Sequence, residues 1–279
     1  MLTSHHYRES AAYIQKQLNG FEPEILIILG SGLGALADEI TAPMYLPYSE
    51  IPYFKTSNAP GHQGRLAAGS LSGHKVIAMQ GRYHVYEGHT PEETAFPVRV
   101  ANLLGAETLI VTCAAGGVNE AYRPGDLCLI TDTINLTHTG PLVGFDISDF
   151  NQRFVDMSFT FNRRYREIIK TIAREMGISL QEGVYFYMPG PQFESPAEIR
   201  AIRGLGGDLV GMSCVHDALM ARRCGMEVLG LALVSNMAAG VLNQPITEEE
   251  VLEEGKKAAQ HFSALVQTFI SRGLNSQPQ

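Results

Sequence analysis

The sequence predicts a single α/β domain built on a mixed β-sheet that is flanked by helices. Short apolar runs alternate with longer amphipathic segments along its 279 residues, which is the order of strands and helices in layered α/β proteins. Two alternating runs meet at Ser72-Gly73, so part of the sheet is expected to be an antiparallel hairpin. No linker-like stretch divides the chain, and residues 1–279 are therefore interpreted as one domain.

The predicted strands are short runs of apolar or alternating residues. The apolar runs are Glu24–Leu29, Thr108–Cys113, Leu127–Ile134, Gly183–Met188, Leu209–Met212 and Val228–Val234. The two alternating runs of the expected hairpin are Arg65–Leu71 and Lys75–Gln80.

Capping residues mark the starts of three helices. Thr90–Glu93 supplies a capping hydroxyl, then proline at the first helical position and Glu at the third, and Gly105 stops that helix. Ser195–Glu198 repeats the pattern, so a helix is expected directly after Glu194. Thr247 opens a C-terminal helix that runs to about Arg272. Residues 137–158 have no clear period and predict a long loop.

Composition and charge narrow the class of partner. Acidic residues number 29 and basic residues 21, for a formal net charge of -8. Neutralising a nucleic acid or an anionic membrane needs clustered Lys and Arg, so neither partner is expected. The four cysteines have no CxxC spacing and no apolar signal segment comes first, which predicts reduced thiols in a cytoplasmic protein.

A glycine-rich turn follows the first predicted strand. Residues 30–35, GSGLGA, allow backbone N–H groups to approach an anion, and they also fit the dinucleotide-binding pattern. That pattern requires an acidic residue at the end of a second strand about twenty residues on. The segment instead contains Pro43, Pro47 and Pro52, which disfavour a central parallel strand. A phosphate loop is favoured, and a plain tight turn or an NAD or FAD site remain as alternatives.

Arg82, His84 and Tyr86 follow the second hairpin strand with a spacing of two. In an extended segment they would point to the same side, where Arg and His can hold a tetrahedral anion. The alternative is a surface segment in which Arg82 pairs with Glu87. A metal site at His84 and His89 is less favoured, because no carboxylate or third histidine completes a ligand set.

Small or polar residues stand at the ends of other predicted strands, where ligands of α/β sheets collect. Ala114, Ser213 and Asn236 each follow an apolar run. Phe193 and Glu194 lie in a proline-rich turn directly before a helix. Three of them have a structural alternative: a close-packed strand exit for Ala114, a helix-dipole role for Glu194, and an ordinary cap for Asn236.

Seven motifs taken together resemble the trimeric purine nucleoside phosphorylases. They are GSGLG at 30–34, GHQGRL at 61–66, GRYHVYEG at 81–88, FPVRV at 96–100, AAGGVN at 114–119, PGPQFES at 189–195 and GMS at 211–213. The resemblance covers residues 20 to 270 and implies the single-domain nucleoside phosphorylase fold, a mixed twisted sheet with a partial barrel. It also implies reversible phosphorolysis of purine nucleosides, no metal or organic cofactor, inorganic phosphate as co-substrate, and a homotrimer.

The resemblance implies a role for each matched residue. The phosphate positions are Ser31, His62, Arg82, His84, Ala114 and Ser213, with the role of His62 least defined. The nucleoside positions are Tyr86, Phe154, Phe193, Glu194, Met212, Ser235 and Asn236. His84, Glu194 and Asn236 are the implied catalytic residues, and Phe154 would complete the site of a neighbouring subunit. The alternative for Phe154 is a local hydrophobic pin of its own loop.

Glu194 and Asn236 bear on which purine is accepted. An ionised carboxylate only accepts hydrogen bonds, which suits the N1–H of hypoxanthine or guanine, whereas adenine presents a lone pair there. Such a mismatch discriminates by a factor on the order of 10⁴, so inosine and guanosine are predicted over adenosine. The alternatives are a xanthosine preference decided near Met188, a 5′-methylthioadenosine phosphorylase, which typically has Asp at the position of Asn236, and a nucleoside-binding protein without catalysis.

Several positions depart from the family pattern. Cys113 stands where the family usually has Asn, Cys214–Asp217 replaces the usual Thr-Val-Pro-Glu, and Ser235 replaces Thr. Glu248 lies where the family often has the histidine that holds the sugar 5′-hydroxyl. It either accepts that hydrogen bond or is an ordinary residue of the first helical turn, which is slightly favoured.

Overall fold

The computed structural model describes residues 2–57, 59 and 61–274, and side chains other than those of 248–252 and 255. The strands are β1 Ile25–Leu29, β2 Thr41–Pro47, β3 Arg65–Leu71, β4 His74–Gln80, β5 Thr108–Gly117, β6 Leu127–Asn135, β7 Leu180–Tyr187, β8 Leu209–Gly211 and β9 Glu227–Met237. The α-helices are α1 Ser4–Gln17, α2 Pro91–Leu103, α3 Arg163–Glu175, α4 Pro196–Gly204, α5 Val215–Arg223 and α6 Glu248–Gly273. Short 3₁₀ helices occupy Gly34–Glu39, Tyr48–Glu50 and Val85–Glu87.

The strands form one mixed sheet that closes on itself at one end. Its order is β2-β3-β4-β1-β5-β8-β7-β6-β9, and β5 also pairs with β9. That pairing joins the last five strands into a ring, which confirms the predicted mixed sheet with a partial barrel. The hairpin of β3 and β4 is antiparallel, as expected. Because β4, β1, β5 and β9 run parallel, their carboxyl ends meet at one edge.

Every strand predicted from the sequence is present, and β2 is one that was missed. Its prolines, Pro43 and Pro47, led that segment to be excluded as a central strand. The segment is indeed not a central parallel strand, because β2 lies at the edge of the sheet and pairs with β3 in antiparallel orientation. Proline is tolerated there because an edge strand leaves one row of its backbone groups unpaired.

The helices with capping residues begin where the sequence predicts. The Thr90 hydroxyl accepts from the backbone N–H of Glu93 at 3.2 Å, and that of Ser195 accepts from Glu198 at 3.3 Å. Helix α6 begins after Thr247 and ends at Gly273. None of the described helices is both long and apolar enough to cross a bilayer.

Three helices, α1, α3 and α5, were not assigned from the sequence. Helix α1 does carry a signal, because Tyr7, Ser10, Ala11 and Ile14 have helical spacing and are buried. Helix α5 has no such local mark. It starts after Cys214, whose φ is 66° and whose side chain makes no capping hydrogen bond.

A long loop, residues 136–162, joins β6 to α3 without a helix or strand. It confirms the loop predicted at 137–158 and extends it slightly at both ends. The loop carries Phe154, so its attachment to the rest of the fold bears on the site.

Candidate active site

A cleft at the carboxyl ends of the strands brings the predicted residues together. The space between its walls is about 720 Å³, including open solvent at its mouth, and α/β proteins bind small molecules at this edge of the sheet. All predicted site residues line it except His62 and Phe154. The lining also includes residues that were not predicted, most of them small and at strand ends: Gly30, Cys113, Ala115, Gly116, Val210, Gly211, Ala238 and Ile246.

The turn after β1 forms one wall of the cleft and brings Ser31 to it. A side chain at Gly30 would place its Cβ 2.6 Å from the Cα of Cys113, so close packing against β5 requires glycine. The residues after this turn form the 3₁₀ helix Gly34–Glu39 in place of an α-helix, and the next strand, β2, pairs with β3 in antiparallel orientation instead of lying parallel beside β1. The dinucleotide-binding alternative lacks both the helix and the parallel strand that it requires.

Arg82 is buried in the cleft wall and paired with an acid from α5. Its Nη1 donates to Asp217 Oδ2 at 3.1 Å and to Cys214 Sγ at 3.4 Å, and Nη2 donates to the carbonyl of Thr112. The alternative in which Arg82 pairs with Glu87 is therefore wrong. Burial raises the pKa of Asp217 to about 6, although the Arg82 charge opposes that shift.

His84 is held in one tautomer by an acidic neighbour. Its Nδ1 lies 3.1 Å from Glu87 Oε2, and the same oxygen accepts from the His84 backbone N–H at 2.9 Å. Burial lowers the pKa of His84, which favours the neutral ring. With its proton on Nδ1, the neutral ring leaves Nε2 as the nitrogen for a ligand in the cleft.

Tyr86 lies in the 3₁₀ helix Val85–Glu87, so the extended segment predicted through it ends at His84. Both rings nevertheless line the cleft, because they stack with centroids 4.6 Å apart and planes inclined by 14°. His84 and Tyr86 therefore do not follow the predicted spacing of two along one extended segment. The 3₁₀ turn nevertheless brings both side chains to the cleft.

His62 lies beside the cleft rather than on its surface. Its ring stacks on that of His84 at 5.4 Å, and its Nε2 lies 3.4 Å from Ser31 Oγ. On its other side Nδ1 lies 3.1 Å from the Arg82 carbonyl oxygen. Burial lowers the pKa of His62 to about 4, so the ring is neutral near pH 7. The structure thus places His62 where it supports Ser31 and His84.

The cleft lining also includes an aromatic ring and a carboxylate from the turn before α4. Phe193 is exposed there, whereas Glu194 is only 7% exposed. Burial raises the pKa of Glu194, and the negative charge of Glu198 adds to that rise. A carboxylate accepts several hydrogen bonds, so Glu194 can bind a donor on a ligand in the cleft.

Asn236 lies within β9, which excludes the capping alternative. The Ser235 hydroxyl donates to Asn236 Oδ1 at 2.8 Å, and Asn236 Nδ2 donates to the Met237 carbonyl at 3.1 Å. These contacts orient the buried amide. They use one of the two Nδ2 hydrogens and leave the other for a ligand.

Met212 and Ser213 directly follow β8 and line the cleft. The Ser213 backbone N–H donates to the hydroxyl of Tyr185 at 3.2 Å, which fixes this turn against β7. Across the cleft, Ala114 is partly exposed, and the register between β5 and β9 shifts just after it, between Ala115 and Gly116. Such an irregularity re-aims backbone groups at the rim of a barrel.

Two sequence departures meet next to Arg82. The Cys113 and Cys214 side chains hydrogen-bond to one another, and burial contributes to raising the pKa of Cys113. Asp217, which reasoning from the sequence did not place in the site, holds the guanidinium. The sequence signal that could have placed Asp217 in the site is the departure of Cys214–Asp217 from the family pattern. The side chain of Glu248 lies outside the described residues.

Phe154 is 86% exposed on the long loop and does not line the cleft of its own chain. So exposed a ring does not act as a hydrophobic pin within its own chain.

The known proteins compared with this chain are of one enzyme type. The sequence model of the Phosphorylase superfamily matches residues 24–271. Purine nucleoside phosphorylase 1 of Geobacillus stearothermophilus is 49% identical over 94% of this chain and 96% of its own. The purine nucleoside phosphorylase of Bos taurus is 42% identical over 95% and 94% of the two chains.

A solved structure agrees in fold over nearly the whole chain. The purine nucleoside phosphorylase of Schistosoma mansoni in complex with adenosine superposes with a TM-score of 0.92, at 36% identity and over 99% of each chain. A further crystal structure of this enzyme type contains hypoxanthine. With this agreement in sequence, fold and motif order, the chain belongs to the purine nucleoside phosphorylases of the phosphorylase superfamily.

Proposed function

We propose that this enzyme cleaves 6-oxopurine nucleosides, chiefly inosine and guanosine, with inorganic phosphate. The observation that supports it most is that one cleft combines an anion-binding pair with a purine-binding pair. Arg82 and His84 line it together with Glu194 and Asn236. Arg82 follows β4 whereas Asn236 lies on β9, and β1 and β5 separate those two strands in the sheet. A phosphate ion beside Arg82, at the phosphate end, and a purine beside Asn236, at the purine end, would place the ribose between them.

The reaction exchanges one bond at the sugar for another. A phosphate oxygen forms a bond to C1′ of the ribose while the bond from C1′ to purine N9 breaks, and the purine keeps that electron pair. The proton that phosphate loses balances the one that the free base gains. Positive charge builds on the sugar and negative charge on the purine, so fixed charges and dipoles supply most of the catalysis.

The phosphate end of the cleft would position the nucleophile. Arg82 supplies positive charge, and Ser31, Ser213 and the Ala114 backbone N–H supply neutral donors. Neutral His84 presents Nε2, which would accept a hydrogen bond from a protonated phosphate oxygen. His62 would act through Ser31 and His84, since it lies behind them.

The purine end would both select and stabilise the base. The free Nδ2 hydrogen of Asn236 would donate to N7, where negative charge develops as the bond breaks. Ionised Glu194 would accept from N1–H, and Phe193 would pack on the ring. Tyr86 and Met212 would contact the ribose between the two ends, and Ser235 would hold the Asn236 amide.

The assembly proposed for this enzyme is a homotrimer. Phe154 supports it, because a large ring that is 86% exposed is hardly covered by the described part of its own chain and could reach a neighbour's cleft. One sheet includes every described strand, which supports a single domain over residues 1–279. No metal or organic cofactor is proposed, and phosphate would be the co-substrate. The four free cysteines support a cytoplasmic location.

A panel of nucleosides tests this function. Inosine, guanosine, xanthosine, adenosine and 5′-methylthioadenosine are each offered with phosphate, and release of free base is measured. Inosine and guanosine are expected to exceed adenosine in kcat/KM by a factor on the order of 10⁴. Preferred cleavage of 5′-methylthioadenosine would contradict the assignment, and preferred cleavage of xanthosine would move the specificity within the 6-oxopurines.

A further inference from the structure

Arg223 holds the long loop just before Phe154. It is the last residue of α5 and only 8% exposed. Its Nη1 donates to the carbonyl of Gln152 at 2.5 Å, and its Nη2 donates to that of Arg153 at 2.7 Å. One planar guanidinium thus binds two successive carbonyls, which restricts the backbone direction more than a single hydrogen bond would.

A second buried arginine anchors the loop a few residues earlier. Arg99 of α2 is 1% exposed and donates to Asp149. Its guanidinium lies 5.0 Å from the ring centroid of Phe145 and 4.8 Å from that of Phe150. Arg223 lies over the same Phe150 ring at 4.8 Å. The two cations and the ring between them attach the loop to α2 and α5.

These contacts are costly if their only role is to stabilise the fold. Arg99 Nη1 and Arg223 Nε are buried with no hydrogen-bond partner among the described residues. Burying a charged group with an unsatisfied donor is unfavourable, and an apolar side chain would fill the space at lower cost. An apolar side chain at position 223, however, could not donate hydrogen bonds to the Gln152 and Arg153 carbonyls.

Phe154 has little else to fix its position. Its ring is 86% exposed, and the loop that carries it contains no helix or strand. An exposed residue on an irregular loop samples many conformations unless its backbone is tied down. The backbone tie immediately before Phe154 is the pair of hydrogen bonds from Arg223.

We propose that Arg223 is a positioning residue for nucleoside binding, because it holds the backbone before Phe154 and thereby presents that ring to the cleft of the neighbouring subunit. This inference rests on the proposed trimer. In it, Arg99 and Phe150 set the base of the loop, and Arg223 sets the direction of its tip. The effect on the nucleoside would be preorganisation: the ring is in place before the substrate arrives.

A spectroscopic experiment tests the positioning directly. The chain contains no tryptophan, so Phe154→Trp introduces a single emitter at the tip of the loop. In that background Arg223→Met is expected to increase acrylamide quenching and lower the emission anisotropy. Arg223→Lys keeps the positive charge but has a compact ammonium group in place of the planar guanidinium. It is expected to give intermediate quenching and intermediate anisotropy. Arg174→Met is the control and is expected to change neither, because Arg174 donates to Lys170 and Thr171 within its own helix α3.

Kinetics separate this inference from the proposed function. Phe154→Ala is expected to raise the nucleoside KM roughly 10-fold in a chain that still has trimer mass by light scattering. Arg223→Met is expected to raise it by a similar factor, roughly 10-fold, with the phosphate KM unchanged. Because both changes act through one ring, the double variant is expected to match Phe154→Ala alone.

The outcomes are distinct. If Phe154→Ala leaves the nucleoside KM unchanged in an intact trimer, the proposed role of Phe154 fails, and the inference fails with it. If Phe154→Ala raises that KM but Arg223→Met does not, or if the two effects multiply in the double variant, Arg223 does not act through Phe154 and the inference alone is overturned. Should Arg223→Met fail to fold, Arg223→Lys carries the same comparison.

Discussion

Replacing Arg82 with methionine is expected to raise the KM for phosphate by roughly 100-fold or more. The guanidinium lines the cleft at its proposed phosphate end, and Asp217, Cys214 and the Thr112 carbonyl hold it there. The substitution also leaves Asp217 buried without its partner, which costs about 3 kcal/mol of unfolding free energy. Phosphate-dependent initial rates and urea unfolding measure the two effects.

Arg82→Lys is the matched variant that separates charge from geometry. Lysine keeps the positive charge opposite Asp217, so most of the lost unfolding free energy should return. It lacks the planar set of donors that now binds an acid, a sulfur and a carbonyl at once, so the phosphate KM should stay roughly 10-fold raised. A phosphate KM at the wild-type value in Arg82→Met would remove Arg82 from phosphate binding.

Replacing Glu194 with alanine is expected to lower kcat/KM for inosine and guanosine by roughly 100-fold. The change removes the carboxylate that is proposed to accept from N1–H, and it leaves that donor of the purine unpaired in a buried place. The phosphate KM should not change, because Glu194 belongs to the proposed purine end of the cleft. The kcat/KM for adenosine, which has no N1–H, should fall far less. The ratio of kcat/KM for inosine to that for adenosine should therefore decrease. Equal losses for all three nucleosides would show that Glu194 does not read the base.

The pH dependence of the same carboxyl provides an independent check. Burial raises the pKa of Glu194, so its protonated form persists to higher pH than that of an ordinary Glu. Below that pKa the neutral carboxyl no longer offers two acceptor oxygens, so kcat/KM for inosine should fall as the pH falls through it. Glu194→Gln, which does not titrate, should remove this acidic limb. An unchanged limb in that variant would assign the titration to another group.

The sequence predicts best the features that neighbouring residues determine. The start of α4 is set by Ser195 and Glu198, which are three residues apart, and the structure contains both halves of that capping box. Strand β1 is also marked locally, by five successive apolar residues, and all five are buried in the structure. The contact between Ser235 and Asn236 is also one between neighbours, and both residues line the cleft.

The features that escaped prediction depend on tertiary packing. Arg82 follows β4 and Asp217 lies on α5, 135 residues further on, so no sequence spacing relates them. The nearer acid, Glu87, pairs with His84 because a 3₁₀ turn brings it back over that ring. Strand β2 was missed because proline lowers strand propensity everywhere, whereas its cost depends on whether the strand is central or at an edge.

Phosphate dependence is the most direct test of the whole account. Purified enzyme is incubated with inosine in phosphate-free buffer and again with added phosphate, and both hypoxanthine and ribose 1-phosphate are measured. The account predicts no base release without phosphate, and equal amounts of the two products with it. Release of hypoxanthine with free ribose in the absence of phosphate would show hydrolysis and contradict the proposed mechanism.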